Sequence, residues 1–187
     1  MANLMFINQI PRNIPCSGQY FVDTNVWVYY AYMANKSYNL SKENQYKINE
    51  YSRFIEKVKE SGGSLFTSSL CLSELANVIE RKALEQYNHN NNTSLKIKKF
   101  REISQERQQI VDDIDTAWCS IKDIATIIEH SISKETGEHI ITEIRAAPLD
   151  AYDAIFLQLI KNKKLTNIIT DDKDFQEVSD HIDIYTA

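Results

Sequence analysis

Four short apolar runs, set apart by long stretches of helical periodicity, constrain this chain more than any other feature of its sequence. The runs are Gln19–Asp23 (QYFVD), Ser64–Thr67 (SLFT), Asn167–Thr170 (NIIT) and Ile182–Tyr185 (IDIY). Each has the length and residue types of a buried strand. Between the first two, Ile48, Tyr51, Phe54, Ile55 and Val58 recur at helical spacing across residues 42–60, and Gly62-Gly63 ends that helix. After the second, Ser68 or Ser69 caps a helix carrying Leu72, Leu75, Ala76 and Ile79. Pro148-Leu149-Asp150 opens another helix, with Asp150 as N-cap and Asp153 in the first turn. Strands alternating with helices predict right-handed crossovers and a parallel sheet covered on both faces. The expected fold is therefore α/β, a three-layer α/β/α domain around a central parallel sheet of about four to five strands.

The chain has only four glycines and three prolines, so long uninterrupted elements are expected. A single domain over residues 1–187 is predicted, with its core at 19–185. Asn88–Ser94 (NHNNNTS) reads as an exposed turn or loop. Beyond it, Ile97, Phe100, Ile103, Ile110, Ile114, Ala117, Trp118, Ile121 and Ile124 form a long helical stripe. The stripe predicts an extended helical hairpin inserted at residues 81–147. The segment 126–147 carries no clear period, and helix is favoured over Gly137–Ala146.

Twenty-one Lys and Arg against twenty-six Asp and Glu give a net charge of −5 and a pI near 5.4. That balance argues against a general coat for nucleic acid, because phosphate binding depends on clustered basic residues. A 43% hydrophobic content argues against disorder. No apolar run approaches the roughly 18 residues a membrane span needs, so no membrane partner is expected. The first residues lack a basic segment followed by an apolar one, which argues against a secretory signal. Cys16, Cys71 and Cys119 show no CxxC spacing, and His89, His130, His139 and His181 no ligand spacing. Reduced thiols and a cytoplasmic location are the expectation, with no zinc site.

In a parallel α/β sheet, ligands bind beyond the carboxyl ends of the strands. The first strand ends at Asp23 and the third runs into Thr170-Asp171-Asp172, with Asp174 close behind. Glu74 lies on the helix after the second strand, and Asp153 in the helix that leads into the third. Four elements can thus aim carboxylates at one edge. Such a cluster is costly without a cation, and oxygen-only ligation suits Mg²⁺ or Mn²⁺.

The set Val22-Asp23-Thr24-Asn25-Val26, Ser73-Glu74-Leu75, Tyr152-Asp153-Ala154 and Thr170-Asp171-Asp172-Lys173-Asp174-Phe175 resembles the PIN-domain nucleases in order and spacing. It looks most like their single-domain VapC-type toxin ribonucleases. The resemblance spans residues 19 to 185 and is weakest over 81–147. It implies a metal-dependent endoribonuclease, hydrolysing RNA phosphodiester bonds with Mg²⁺- or Mn²⁺-activated water. It also implies Asp23, Glu74, Asp153 and Asp172 as catalytic metal-site acids, Asp174 as an additional acid, and Asn25 and Thr170 as supporting residues. An antitoxin protein partner and a homodimer are implied by family alone.

Each residue has a plainer reading beside this one. Asp23 can serve as a helix N-cap, Glu74 can lie on a solvated face, and Asp153 can serve the helix dipole. Asp174 can cap the following helix, and Asp171 reads as a solvent-facing neighbour. Lys96, Lys98, Lys99 and Arg101 form a basic stretch that is either a solvated helix face or an arm tracking the phosphates of RNA. The competing function is a catalytically inactive PIN-like module that binds RNA or protein.

Overall fold

The structure is a computed structural model and describes residues 3–36, 40–129, 133–178 and 182–187. Six strands form one sheet: β1 (Asn3–Phe6), β2 (Gln19–Val22), β3 (Ser64–Ser68), β4 (Ala125–Ile128), β5 (Asn167–Ile169) and β6 (Asp183–Thr186). Every pairing is parallel, and the order across the sheet is β1-β6-β5-β2-β3-β4. From β2 the chain winds outward through β3 to β4, then returns to the other side of β2 for β5 and β6. The winding therefore reverses between β2 and β5, where Val22 pairs with Ile169. That crevice is where an open α/β sheet binds its ligands.

The helices are α1 (Thr24–Trp27), α2 (Lys42–Glu60), α3 (Leu70–Asn91), α4 (Ile97–Phe100), α5 (Ser104–Lys122), α6 (Lys134–Ala146) and α7 (Ala151–Asn162). A π turn over Val28–Tyr32 continues α1. The period-two alternation of the strands splits the core into two layers. Tyr20, Val22, Leu65, Ile169 and Tyr185 face a cluster with α1, α2, α3 and α5. Phe21, Ile168 and Ile184 face the opposite cluster, which includes Phe156, Leu157 and Ile160 of α7. The turn after α2 depends on two glycines. Gly62 adopts a left-handed φ of 75°, and a Cβ at Gly63 would lie 2.4 Å from the Cys16 carbonyl oxygen. Among the described residues, no helix is long and apolar enough to cross a membrane.

The three-layer parallel architecture agrees with expectation, but the sheet has six strands, where about four to five were expected. Neither additional strand was expected, although both carry apolar residues. β1 is an edge strand whose Leu4, Met5 and Phe6 stay about 40% exposed, and β4 reads Ala-Thr-Ile-Ile at the end of a helical stripe. β4 pairs with β3, so the span expected to be a helical insertion contributes a strand to the sheet. The stripe itself breaks at residues 101–103 into α4 and α5. The Asn-rich tract is not all loop either: α3 runs on to Asn91 and ends at Asn92, whose left-handed backbone (φ 51°) suits asparagine. The favoured helix at 137–146 exists as α6 and starts three residues earlier, behind a Ser133–Thr136 capping box. His89 and His139 are exposed, whereas His130 and His181 lie outside the described residues.

Candidate active site

At the reversal point, the end of β2 and the end of β5 are laced together by side chains. Asp23 is 3% exposed and caps α1, with Oδ1 accepting the Thr24 N–H at 2.6 Å. Its Oδ2 accepts from Asn25 Nδ2 at 2.6 Å and from Thr170 Oγ1 at 2.7 Å. Asn25 also reaches across the crevice, where its Oδ1 accepts the Asp171 N–H at 3.0 Å. Thr170 is fully buried, and its Oγ1 accepts the Asp172 N–H at 2.9 Å. Asn25 and Thr170 thus fix the Thr170-Asp171-Asp172 turn against Asp23.

Two further acids come from helices. Glu74, in the second turn of α3, accepts a 2.5 Å hydrogen bond from Thr24 Oγ1. Asp153, in the first turn of α7, is 8% exposed. Asp150 caps that helix through the N–H groups of Tyr152 (2.7 Å) and Asp153 (3.0 Å), which fixes where Asp153 stands.

The electrostatics show that these acids share one environment. Desolvation, opposed by the Thr170 hydrogen bond and reinforced by the charge of Glu74, pushes the Asp23 carboxyl up to about 7. Desolvation and then the charges of Asp23, Asp150, Asp172 and Glu74 push Asp153 up to about 8. Burial also raises Glu74, partly offset by the Thr24 hydroxyl. No lysine or arginine stands within ion-pair distance of Asp23, Glu74, Asp153 or Asp172 among the described residues. This all-oxygen donor set, buried at Asp23 and Asp153, half-buried at Glu74 and Asp172 and without a close ion pair, fits a hard divalent cation. The ligands are not preassembled, however: among the described residues, no three acid, histidine or cysteine side chains form a ready metal-binding group.

Asp172 and Asp174 differ in setting. Asp172 is half-buried and its Oδ1 accepts the Asp174 N–H at 2.9 Å, whereas Asp174 is exposed at the start of a 3₁₀ turn. Lys96, Lys98 and Lys99 are exposed on or beside α4, with Lys99 paired to Glu102 at 3.0 Å. Arg101 is tied to Glu80, its Nε 2.7 Å from Oε1. Asp171 is not the solvent-facing neighbour expected: Lys47 Nζ at 2.9 Å, Tyr51 OH at 3.0 Å and Tyr29 OH at 3.3 Å all donate to it. Sequence reasoning also missed Thr24, although its place directly after Asp23 marked it. Lys47 and Tyr51 carried no such mark, since they lie in the middle of an amphipathic helix.

No curated protein sequence matches the chain. Among solved structures, a chain of VapBC2 from Rickettsia felis, in a complex bound to a DNA fragment from its promoter, superposes with a TM-score of 0.52. It is 14% identical, and the match covers 90% of this chain and 98% of that one, a likeness of fold. The PIN domain family model matches residues 20–180, which takes in both sides of the crevice and every acid around it. The chain belongs to the PIN domain family.

Proposed function

We propose that the protein is a divalent-metal-dependent endoribonuclease, the toxin of a toxin–antitoxin pair, with Asp23, Glu74, Asp153 and Asp172 as its acidic centre. The observation that carries this reading is the pair Asp23 and Asp153. They are buried on different elements, lack a basic partner among the described residues, and have their carboxyls raised by burial and by neighbouring acids. PIN domains are generally nucleases, and this edge of the sheet is where the fold presents a ligand.

Bound Mg²⁺ or Mn²⁺ would supply a lowered pKa for water and neutralise charge developing on the phosphoryl oxygens. Asp23, Glu74, Asp153 and Asp172 are the residues to hold it, with Asp174 at the outer margin. Thr24 orients Glu74, while Thr170 and Asn25 orient Asp23 and hold the turn that carries Asp172. Attack of water on phosphorus with breakage of the P–O3′ bond would leave a 5′-phosphate on one fragment and a 3′-hydroxyl on the other. The similarity in fold to a chain of a VapBC complex supports an antitoxin protein as partner. A homodimeric, cytoplasmic protein completes the reading.

The test is incubation of the purified chain with single-stranded and structured RNA in Mn²⁺, Mg²⁺ or EDTA. Metal-dependent products bearing 5′-phosphates are expected, and an Asp23→Asn, Asp153→Asn double variant should lose them. Equal cleavage by that variant would remove the site assignment. The absence of a preassembled ligand group favours one second reading, a module that binds RNA or protein without cutting. Binding indifferent to EDTA, with no turnover, would identify it.

A further inference from the structure

From Glu74 the surface of α3 continues away from the acids as a groove of about 540 Å³. Glu74, Asn77, Val78 and Arg81 stand at i, i+3, i+4 and i+7, so one helix face carries them in line. Ile97 of α4 also lines it, as do Asp150 and Tyr152 at the start of α7. Tyr152 is half-buried and directly precedes Asp153, so its ring stands where one of the buried acids begins.

The α4 side is fixed in place. Glu80 is 5% exposed and receives the Arg101 guanidinium through Nε and Nη2, with Arg107 Nη1 a further donor at 3.3 Å. This ties α4, and Ile97 with it, to α3. Arg81 differs from Arg101 in making no close ion pair, although its charge is felt at Glu74 and favours that carboxylate. Its Nε donates to the Asn77 carbonyl at 3.3 Å, and among the described residues no carboxylate stands within ion-pair distance. The groove thus carries the mutually repelling acids Glu74 and Asp150, aromatic and aliphatic lining, and at Arg81 a cation that makes no close ion pair.

We infer that this groove is a nucleotide subsite, holding the nucleotide of a single-stranded RNA that flanks the phosphate cut at the acidic centre. The inference rests on the nuclease reading and extends it to a named binding surface. Tyr152, Val78 and Ile97 offer flat and apolar area for an unstacked base, the mode by which single strands are held. Arg81 meets the next phosphate, where its planar fork suits a phosphate oxygen pair. Asn77 supplies a donor and an acceptor for a base edge or ribose hydroxyl. Charge order decides the occupant: a polyanion needs a cation beyond the acids, and Arg81 stands at that place.

Two readouts test the subsite separately from the nuclease activity. The first is steady-state cleavage by Arg81→Gln and Tyr152→Ala chains, with Tyr152→Phe as the conservative variant and Lys122→Gln as an exposed control. KM should rise about tenfold for Arg81→Gln and Tyr152→Ala with kcat little changed, and Tyr152→Phe should restore it. Thermal midpoints matching the parent confirm that these chains fold. The second is photo-crosslinking of short 4-thiouridine RNA to the unaltered chain in EDTA, which needs no turnover. Crosslinks within residues 74–84, 97–101 and 150–153 are expected. Unchanged KM with crosslinks confined elsewhere overturns the subsite and leaves the nuclease intact. Crosslinks in the groove without any cleavage overturn the nuclease reading and leave the subsite.

Discussion

Thr24 Oγ1 lies 2.5 Å from Glu74 Oε2, so the residue beside Asp23 holds an acid fifty positions further along the chain. Thr24 is 4% exposed at the start of α1, and its hydroxyl's donation favours the ionised form of Glu74 against burial. A Thr24→Val chain keeps the shape and deletes the donor. It should lose about 1–3 kcal/mol of stability by leaving a half-buried carboxylate without its partner. It should also bind Mn²⁺ at least several-fold more weakly in calorimetric titration. Thr24→Ser should restore both, and a Thr24→Val chain with unaltered Mn²⁺ affinity would exclude Glu74 from the metal site.

Raised carboxyls make a prediction of sign. Asp23 and Asp153 are pushed up to about 7 and about 8, so the folded chain binds protons that the unfolded chain, at about 3.9, releases. The stability this contributes is fully present below about pH 4 and is lost as pH rises through the two folded values. Metal-free protein should therefore show a thermal midpoint that falls between about pH 5 and pH 8.5. Saturating Mn²⁺ binds the ionised form and should flatten or reverse that fall. An Asp23→Asn chain should show a shallower fall in EDTA. A midpoint indifferent to pH in EDTA would contradict the buried-acid account.

Asp23 and Asp172 were legible because strand ends are legible, whereas Glu74 and Asp153, on helices, were picked out by the order and spacing of the motifs. A buried strand announces itself by Phe21, Val22, Ile168 and Ile169, and the polar residue that follows must lie at the sheet edge. What surrounds those acids was not legible. Lys47 and Asp171 are 124 positions apart, and nothing in the local pattern of either points to the other. Only the packing of α2 against the β5–β6 side of the sheet brings Lys47, Tyr51 and Asp171 together. β1 and β4 were hidden for a different reason. β1 is an edge strand exposed on every residue, and the β-branched Thr126, Ile127 and Ile128 follow directly on a helical stripe whose apolar spacing they extend.

That hidden pair yields its own prediction. Lys47 Nζ and Asp171 Oδ2 are 2.9 Å apart with side chains 20% and 17% exposed, and the Asp171 N–H is bonded to Asn25. Lys47→Met should cost about 1–2 kcal/mol, the loss of a charge-assisted hydrogen bond from a carboxylate that Tyr51 and Tyr29 still partly satisfy. Adding Asp171→Asn should recover part of the loss, because the orphaned charge is then gone. Urea unfolding of the two single variants and the double variant measures the coupling. Strictly additive losses would mean that the pair does not act as a unit.

The Arg101–Glu80 pair separates two roles that the basic stretch 96–101 can have. Glu80 is nearly inaccessible, and the Arg101 hydrogen bond holds its carboxyl below the usual range against the effect of burial. Stability from this pair is present above the ordinary glutamate pKa of about 4.3 and is lost as pH falls through the lower folded value. Arg101→Ala leaves Glu80 with Arg107 alone at 3.3 Å, so the urea midpoint should fall clearly at pH 7 and less at pH 3. Arg101→Lys should not restore it, since a single ammonium cannot reproduce the two-pronged contact. Lys96→Gln and Lys98→Gln, altered at exposed positions, should leave the midpoint unmoved. If instead Arg101→Ala behaves like the two lysine variants, the pair is incidental and Arg101 is free to reach phosphate, as the bare sequence allowed. A selective fall fixes Arg101 as the residue that holds α4 in place, and leaves Arg81 as the cation facing the groove.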